Sequence, residues 1–231
     1  MIERFSPRLD ILSSAQRELW PLLRPSIDLG FVLYGGTAIA LQLGHRSSVD
    51  FDFFTDRPLE KSGIRREFTF MESATVLQDE LNTFTAIVPS PSGQDRFVNV
   101  SFFGGIEIGR VGVPQKTDEG VMLVASLDDL MATKVKVLLQ RVEAKDYQDI
   151  AAMLEHGVNL SKGLAAARLL YGNQFQPSEA LKAMVYFEGG DLQLLNDKTK
   201  NALLEAVQSI SELPQVNLIS HQLSTGGDFV L

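Results

Sequence analysis

The chain has 231 residues, of which 45% are hydrophobic and 22% charged, and carries a formal net charge of −8 at pH 7. It is long enough to bury a core as one large domain or two modest ones, and its balance is that of a globular chain rather than a disordered one. The acidic sum excludes broad, nonspecific coating of nucleic acid, and the absence of cysteine excludes disulfides, thiol nucleophiles and thiolate-bound zinc.

Three scattered histidines argue against a histidine-rich metal centre, so hard-cation chemistry through oxygen ligands remains. No apolar run reaches the roughly eighteen residues that span a bilayer, and Met1-Ile2-Glu3-Arg4-Phe5 lacks a signal peptide's apolar core. A cytoplasmic protein with no membrane partner is expected.

Ser6-Pro7 reads as a helix start, with Leu9, Leu12, Leu19 and Leu23 at helical spacing until Pro21 and Pro25 end the segment. Phe31-Val32-Leu33-Tyr34 is an apolar run of strand length that stops at Gly35-Gly36, and a helix-period segment follows from Thr37 to Leu43. His45-Arg46-Ser47-Ser48-Val49 then leads into Asp50-Phe51-Asp52-Phe53-Phe54, a strand in which carboxylates alternate with apolar residues. Alternate residues of a strand share a face, so Asp50 and Asp52 point the same way.

Two like charges side by side are costly unless a cation sits between them. Magnesium, or manganese in its place, takes oxygen ligands, commonly one or two carboxylates together with substrate phosphates. Glycine lets a backbone approach a phosphate closely, and the helix N-terminus that follows attracts anions. One element would thus hold a triphosphate and the other the metal.

Gly35-Gly36, thirteen intervening residues and Asp50-Phe51-Asp52 resemble the signature of the DNA polymerase β-type nucleotidyltransferases, in which Gly-Gly or Gly-Ser precedes a metal-binding Asp-x-Asp. Gly35-Gly36-Thr37-Ala38, followed by Arg46-x-Ser48-x-Asp50-Phe51-Asp52-Phe53-Phe54, is similar to the AbiEii/AbiGii toxin branch of that superfamily. The resemblance implies a nucleoside triphosphate substrate, Mg2+ or Mn2+ on Asp50 and Asp52, and nucleotide binding by Gly35, Gly36, Thr37, Arg46 and Ser48. Without it, Arg46 reads equally as a cation at a helix C-terminus. His45 reads as a surface residue.

Pro58 to Phe70 mixes charged and apolar residues as an amphipathic helix covering a sheet does. Strand-like segments follow at Ala74–Leu77, Thr83–Val88 and Arg96–Phe103, with a turn at Pro89–Gly93. Relatives of the polymerase β type usually carry a third carboxylate on such a later strand, as metal ligand and base. Here Asn99 and Ser101 stand where it is expected, so Asp95 or Glu107 fills the role, the acceptor is deprotonated differently, or the protein binds nucleotide without turning it over.

Gly104 to Val113 is expected to continue the sheet and Val121 to Val124 to return to it, with the proline-containing stretch 114–120 as a linker. That places a nucleotidyltransferase domain at 1–119 and a helical domain completing its cleft at 120–231. The fold class expected is α/β, or α+β, with a mixed sheet flanked by helices and an all-helical C-terminal domain.

Ser126 caps a helix from Leu127 to about Val142, with Asp128 and Asp129 in its first turn. Leu127, Met131, Lys134, Leu138 and Arg141 form one stripe, and two cations on an apolar face need an anionic partner in the molecule or in a ligand. Asp146 and Asp149 share a face of the next helical segment. An internal ion network among these residues is one reading. The other follows the resemblance, in which Lys134 contacts the triphosphate and Asp149 orients that lysine or acts as a base.

Further helices are expected at 160–171, 177–187 and 191–210, and the tail, with Gly226-Gly227, shows no motif. The function expected is magnesium-dependent transfer of a nucleoside monophosphate to an acceptor hydroxyl. The resemblance further implies a toxin, an RNA acceptor such as tRNA, and an antitoxin protein as partner.

Overall fold

A computed structural model describes residues 2–90, 92 and 97–225. The chain divides into two compact units. The first takes the described residues of Met1–Gly109, Val113–Ala125 and Ser220–Leu231, and the second takes Arg110–Gly112 and Ser126–Ile219.

The first unit is built on an eight-stranded mixed sheet, β1 (Arg4–Phe5), β2 (Val32–Tyr34), β3 (Asp50–Phe54), β4 (Thr75–Glu80), β5 (Thr83–Pro89), β6 (Phe97–Phe103), β7 (Gln115–Thr117) and β8 (Leu123–Val124). Their order across the sheet is β1-β7-β8-β2-β3-β6-β5-β4. β3 runs parallel to β6 and antiparallel to β2, which is parallel to β8. Three helices accompany it, α1 (Ser14–Leu19), α2 (Gly35–Leu43) and α3 (Lys61–Glu67).

One face of the central strands is a dry aromatic layer. Phe51, Phe53, Val100, Phe102, Phe84 and Ala86 are fully buried, and the Phe53 and Phe102 rings stack at 5.6 Å while Phe31 meets Phe102 at 5.1 Å. Trp20 packs on Phe51 at 6.5 Å, the core role that its apolar neighbours favour. With this face committed to the core, period-two alternation sends Asp50 and Asp52 to the other, where both are half-buried.

In the sheet unit the structure departs from the sequence expectation at one helix start and at two stretches of the strand pattern. The N-terminal helix starts at Ser14, not at Ser6-Pro7, because Ser13 and Gln16 form a reciprocal capping box with hydrogen bonds of 3.2 and 3.0 Å. Residues 104–109 leave the sheet, and Gly105 and Gly109 adopt the left-handed region at φ +63° and +71°, which ends an extended run. The stretch 114–120 is no linker. Its residues 115–117 form β7, which pairs with β1 and β8, so the sheet unit continues to Ala125 and the division falls after that residue, not at 119/120. The turn residues Pro91 and Gly93, the start of the expected strand at Arg96, Asp95, and Gly226-Gly227 lie outside the described residues.

The second unit is helical. It contains α4 (Leu127–Val137), α5 (Ala144–Glu155), α6 (Leu160–Tyr171), α7 (Pro177–Val185) and α8 (Asp197–Gln208). Ser126, Asn159 and Asn196 cap α4, α6 and α8 by accepting from backbone N–H groups in the first turn. α4 packs closely on α6, with Met131 against Gly163, where an added Cβ would approach the Met131 side chain to 2.2 Å. Among the described residues no helix is long and apolar enough to cross a membrane.

Candidate active site

The carboxylates, the glycine turn and the neighbouring strand meet in the sheet unit. β2 and β3 pair so that Tyr34 lies opposite Asp52, and the chain leaves Tyr34 directly into Gly35 and α2. Gly35 has φ +75°, and a Cβ there would lie 2.8 Å from Asp52 Oδ2. The turn is therefore packed against the second carboxylate, and only a residue without a side chain fits at that conformation and that distance.

The first carboxylate is fixed from the other side. Asp50 lies opposite Asn99 and Asp52 opposite Ser101 in the parallel β3–β6 ladder. The Asn99 amide Nδ2 donates to Asp50 Oδ1 at 2.9 Å, and Ser101 receives a long contact from Thr85 Oγ1 at 3.4 Å. The positions next to the acid pair thus hold an amide and a hydroxyl, as the sequence indicated. Glu107 is exposed in the turn beyond the opposite, Phe54–Phe103 end of the strand pair.

Thr37, in the first turn of α2, is buried, and its hydroxyl bonds to Ser48 Oγ at 2.7 Å and donates to the Asp50 carbonyl oxygen. This clamps the start of α2 to the start of β3, and a parallel bridge between Leu12 and Ser48 adds a second tether. Arg46 is half-buried in the same α2–β3 connection, where its Nη1 donates to the Ser47 carbonyl at 3.0 Å. All of Gly35, Gly36, Thr37, Arg46, Ser48, Asp50 and Asp52 therefore lie within one turn-and-strand segment.

Lys134 and Asp149 belong to the helical unit. Lys134 is 4% exposed, and its ammonium donates to Asp146 Oδ1 at 2.6 Å and pairs with Asp149 Oδ2 at 2.7 Å. Arg141 completes the cluster, with Nε 2.8 Å from Asp146 Oδ2 and Nη2 3.1 Å from Oδ1. Burial pushes the Asp146 carboxyl up, but the Arg141 hydrogen bonds and the Lys134 charge outweigh it and hold the group below its ordinary value. Only Lys134 of the two expected cations lies on the helix, since α4 ends at Val137 rather than near Val142, and Arg141 reaches Asp146 from the exposed link that follows.

A second buried acid was missed by sequence reasoning. Asp129 accepts from the backbone N–H groups of Val111 and Gly112 at 2.7 and 3.1 Å and from Ser126 Oγ at 2.5 Å, which stitches residues 110–112 to α4. Burial raises its carboxyl pKa despite these donors and the nearby Arg110 charge. It also raises the Tyr171 phenol, with a smaller contribution from Asp129. The only sequence signal was an acid at the third helical position, which reads as a cap adjunct.

Among the described residues no group of three or more His, Asp or Glu side chains is placed to hold a metal ion. The donor set at Asp50 and Asp52 nevertheless suits magnesium, whose sites commonly use two carboxylates and complete the shell with water and substrate phosphate oxygens. A cavity of about 470 Å³ lies in the helical unit, lined by Leu154, Asn159, Ser161, Ser209 and Glu212, and includes none of the residues above.

The sequence profile of the nucleotidyl transferase AbiEii toxin family, type IV toxin–antitoxin system, matches residues 19–211. An uncharacterized protein of Aquifex aeolicus (strain VF5) is 28% identical over 193 residues, covering 80% of this chain and 88% of that protein. Among solved structures, the fold is similar to that of a candidate nucleotidyltransferase from H. pylori, with TM-score 0.58 and 16% identity over 84% of this chain and 92% of the other. It is also similar to MenT4, a nucleotidyltransferase toxin from Mycobacterium tuberculosis H37Rv, with TM-score 0.56 and 13% identity over 85% of this chain and 82% of the other. At these identities the structural likeness establishes the nucleotidyltransferase fold, and the profile match over most of the length establishes the family. A glycine turn packed on an Asp-x-Asp strand, in a chain matched from residue 19 to 211, places this protein in the AbiEii family of nucleotidyltransferase toxins.

Proposed function

We propose that the protein transfers a nucleoside monophosphate from a nucleoside triphosphate to an acceptor hydroxyl, with Mg2+ or Mn2+ held by Asp50 and Asp52. The observation that carries the proposal is the contact between the Gly35 turn and the Asp52 carboxylate, beside a second acid on the same strand face. In this reading the turn at the start of α2 meets the phosphates and the two acids of β3 meet the metal.

In this reading the acceptor oxygen forms a bond to the α-phosphorus, the bond from that phosphorus to the β-bridging oxygen breaks, pyrophosphate leaves, and the acceptor's proton passes to solvent. When bound, the metal neutralises charge on the phosphate oxygens. Gly35 and Gly36 offer a close approach to the phosphates at the start of α2. Thr37 and Ser48 hold that turn against β3, and Arg46 supplies positive charge at the same edge. Since Asn99 and Ser101 cannot serve as anionic bases, alignment and electrostatics supply the acceleration.

Lys134 and Asp149 enter as the framework of the helical unit rather than as groups that touch nucleotide. The ammonium is already satisfied by two fully buried carboxylates, and withdrawing it would take a buried counter-charge from both. A cognate antitoxin is the partner that the toxin–antitoxin family suggests, and RNA is the acceptor that the sequence resemblance implies. A second reading, nucleotide binding without turnover, draws on Asn99 and Ser101 at the positions beside the acids.

Incubation with α-labelled nucleoside triphosphates, Mg2+ and total RNA tests the proposal. Label is expected to pass to RNA with the native protein, and Asp52→Asn is expected to reduce transfer by about a thousandfold while leaving the circular dichroism spectrum unchanged. Full activity in that variant rules out the metal assignment. Nucleotide binding by calorimetry with no transfer to any RNA favours the second reading.

A further inference from the structure

We infer that Asn99 is a positioning residue for Asp50, and that its neutral amide makes divalent-cation binding conditional on nucleotide. The inference rests on the proposed metal role of Asp50 and Asp52. Its observation is the parallel register that sets Asn99 beside Asp50, with Nδ2 donating to Oδ1 at 2.9 Å.

The amide does two things that a carboxylate at that position would not. As a donor it occupies one oxygen of Asp50 and turns the carboxylate about its Cβ–Cγ bond, so the other oxygen is presented to a cation in a defined direction. As a neutral group it leaves the site with two formal negative charges rather than three. A cation on two half-exposed carboxylates keeps most of its water shell, and the charge and oxygens needed to displace that water come from a triphosphate. Metal and nucleotide then bind with positive coupling, each raising the other's affinity by the same factor. An acid at 99 would place a third negative charge against Asp50, draw the cation in by itself and weaken that coupling.

The test is Mn2+ binding to the full-length protein, followed by electron paramagnetic resonance. It is run without nucleotide and with α,β-methylene analogues of the four ribonucleoside triphosphates, after correction for Mn2+ held by the analogues alone. In the native protein the analogue mixture is expected to tighten Mn2+ by about tenfold or more. Asn99→Asp is expected to tighten nucleotide-free Mn2+ by about tenfold and to reduce the gain from nucleotide to about threefold or less. Asn99→Ala, which cannot orient Asp50, is expected to lower kcat by about tenfold with KM within about twofold of the native value.

Thermal unfolding of each variant separates these effects from loss of fold. Nucleotide-free Mn2+ affinity of Asn99→Asp within about twofold of native, while Asp52→Asn loses Mn2+ binding, overturns the inference and leaves the metal site standing. Mn2+ binding that is unchanged in Asp52→Asn as well overturns the metal site itself, and the inference with it.

Discussion

Gly35 couples the glycine turn to the acid pair through space rather than through sequence. Its φ of +75° disfavours any side chain, and a Cβ would lie 2.8 Å from Asp52 Oδ2. Gly35→Ala is therefore expected to cost about 1–2 kcal/mol of stability, from the left-handed backbone alone. It should also push the Asp52 carboxylate aside, lowering transfer by about tenfold or more because misplacement of a reacting group by a fraction of an ångström is expensive. Thermal unfolding and single-turnover transfer measure the two effects separately, and a stable variant with native transfer would show that the turn does not position Asp52. The sequence carried this residue plainly, since Gly-Gly at the end of an apolar run and Asp-x-Asp after thirteen intervening residues have few packing reasons to coincide. It marked Asn99 only as the place of an expected carboxylate, because the hydrogen bond to Asp50 depends on the β3–β6 register.

At the scale of elements, the cluster that joins α4 to α5 turns a sequence puzzle into an energetic statement. Lys134 is enclosed with two fully buried aspartates, and Arg141 closes the open side of one of them. Lys134→Met is expected to destabilise the protein by about 3–5 kcal/mol, because two buried carboxylates lose their shared partner. Adding Asp146→Asn and Asp149→Asn to that variant removes the stranded charges and should recover a large part of the loss. Urea unfolding monitored by far-UV circular dichroism measures both, and a single variant as stable as the native protein would show that the ammonium is dispensable. Helical periodicity singled out Met131 and Lys134 and ran on to Arg141, which lies past the end of α4 at Val137, and the rule that buried charge needs a partner pointed to the acids. Short strands were harder to see. β7 and β1 are three and two residues long, with Gln115, Lys116 and Arg4 among them, so no alternation could accumulate and only tertiary pairing reveals them.

At the scale of the whole molecule, the two units are not consecutive in sequence. Residues 110–112 belong with the helices, where Asp129 accepts from two of their backbone N–H groups, although sheet residues flank them. From residue 220 the chain belongs again to the sheet unit, where the Leu223 N–H donates to Asp56 Oδ1 at 3.0 Å and Leu223 is fully buried. A chain cut after residue 125 thus leaves Asp129 without its two backbone donors and the sheet without Leu223. Residues 1–125 and 126–231 expressed separately are each expected to lack a cooperative unfolding transition, whereas the unbroken chain is expected to show one. Sharp, native-like melting of either fragment would contradict this. The sequence suggested a single boundary at 119/120 because proline and polar residues cluster there, and nothing in composition marks a segment that returns to an earlier unit.

That arrangement constrains how such a protein can change by recombination. The stretch from Ser126 to Ile219 is a cassette with two joints, bracketed on each side by residues of the sheet unit. A crossover at one joint alone would trade the final strap of the sheet unit along with the helices, and the incoming strap would need its own equivalent of Leu223 to meet Asp56. Lineages that exchange the stretch 126–219 should therefore carry matched breakpoints at both its ends and keep backbone donors at 111 and 112 for the incoming counterpart of Asp129, while the Gly-Gly and Asp-x-Asp segment travels as one uninterrupted block.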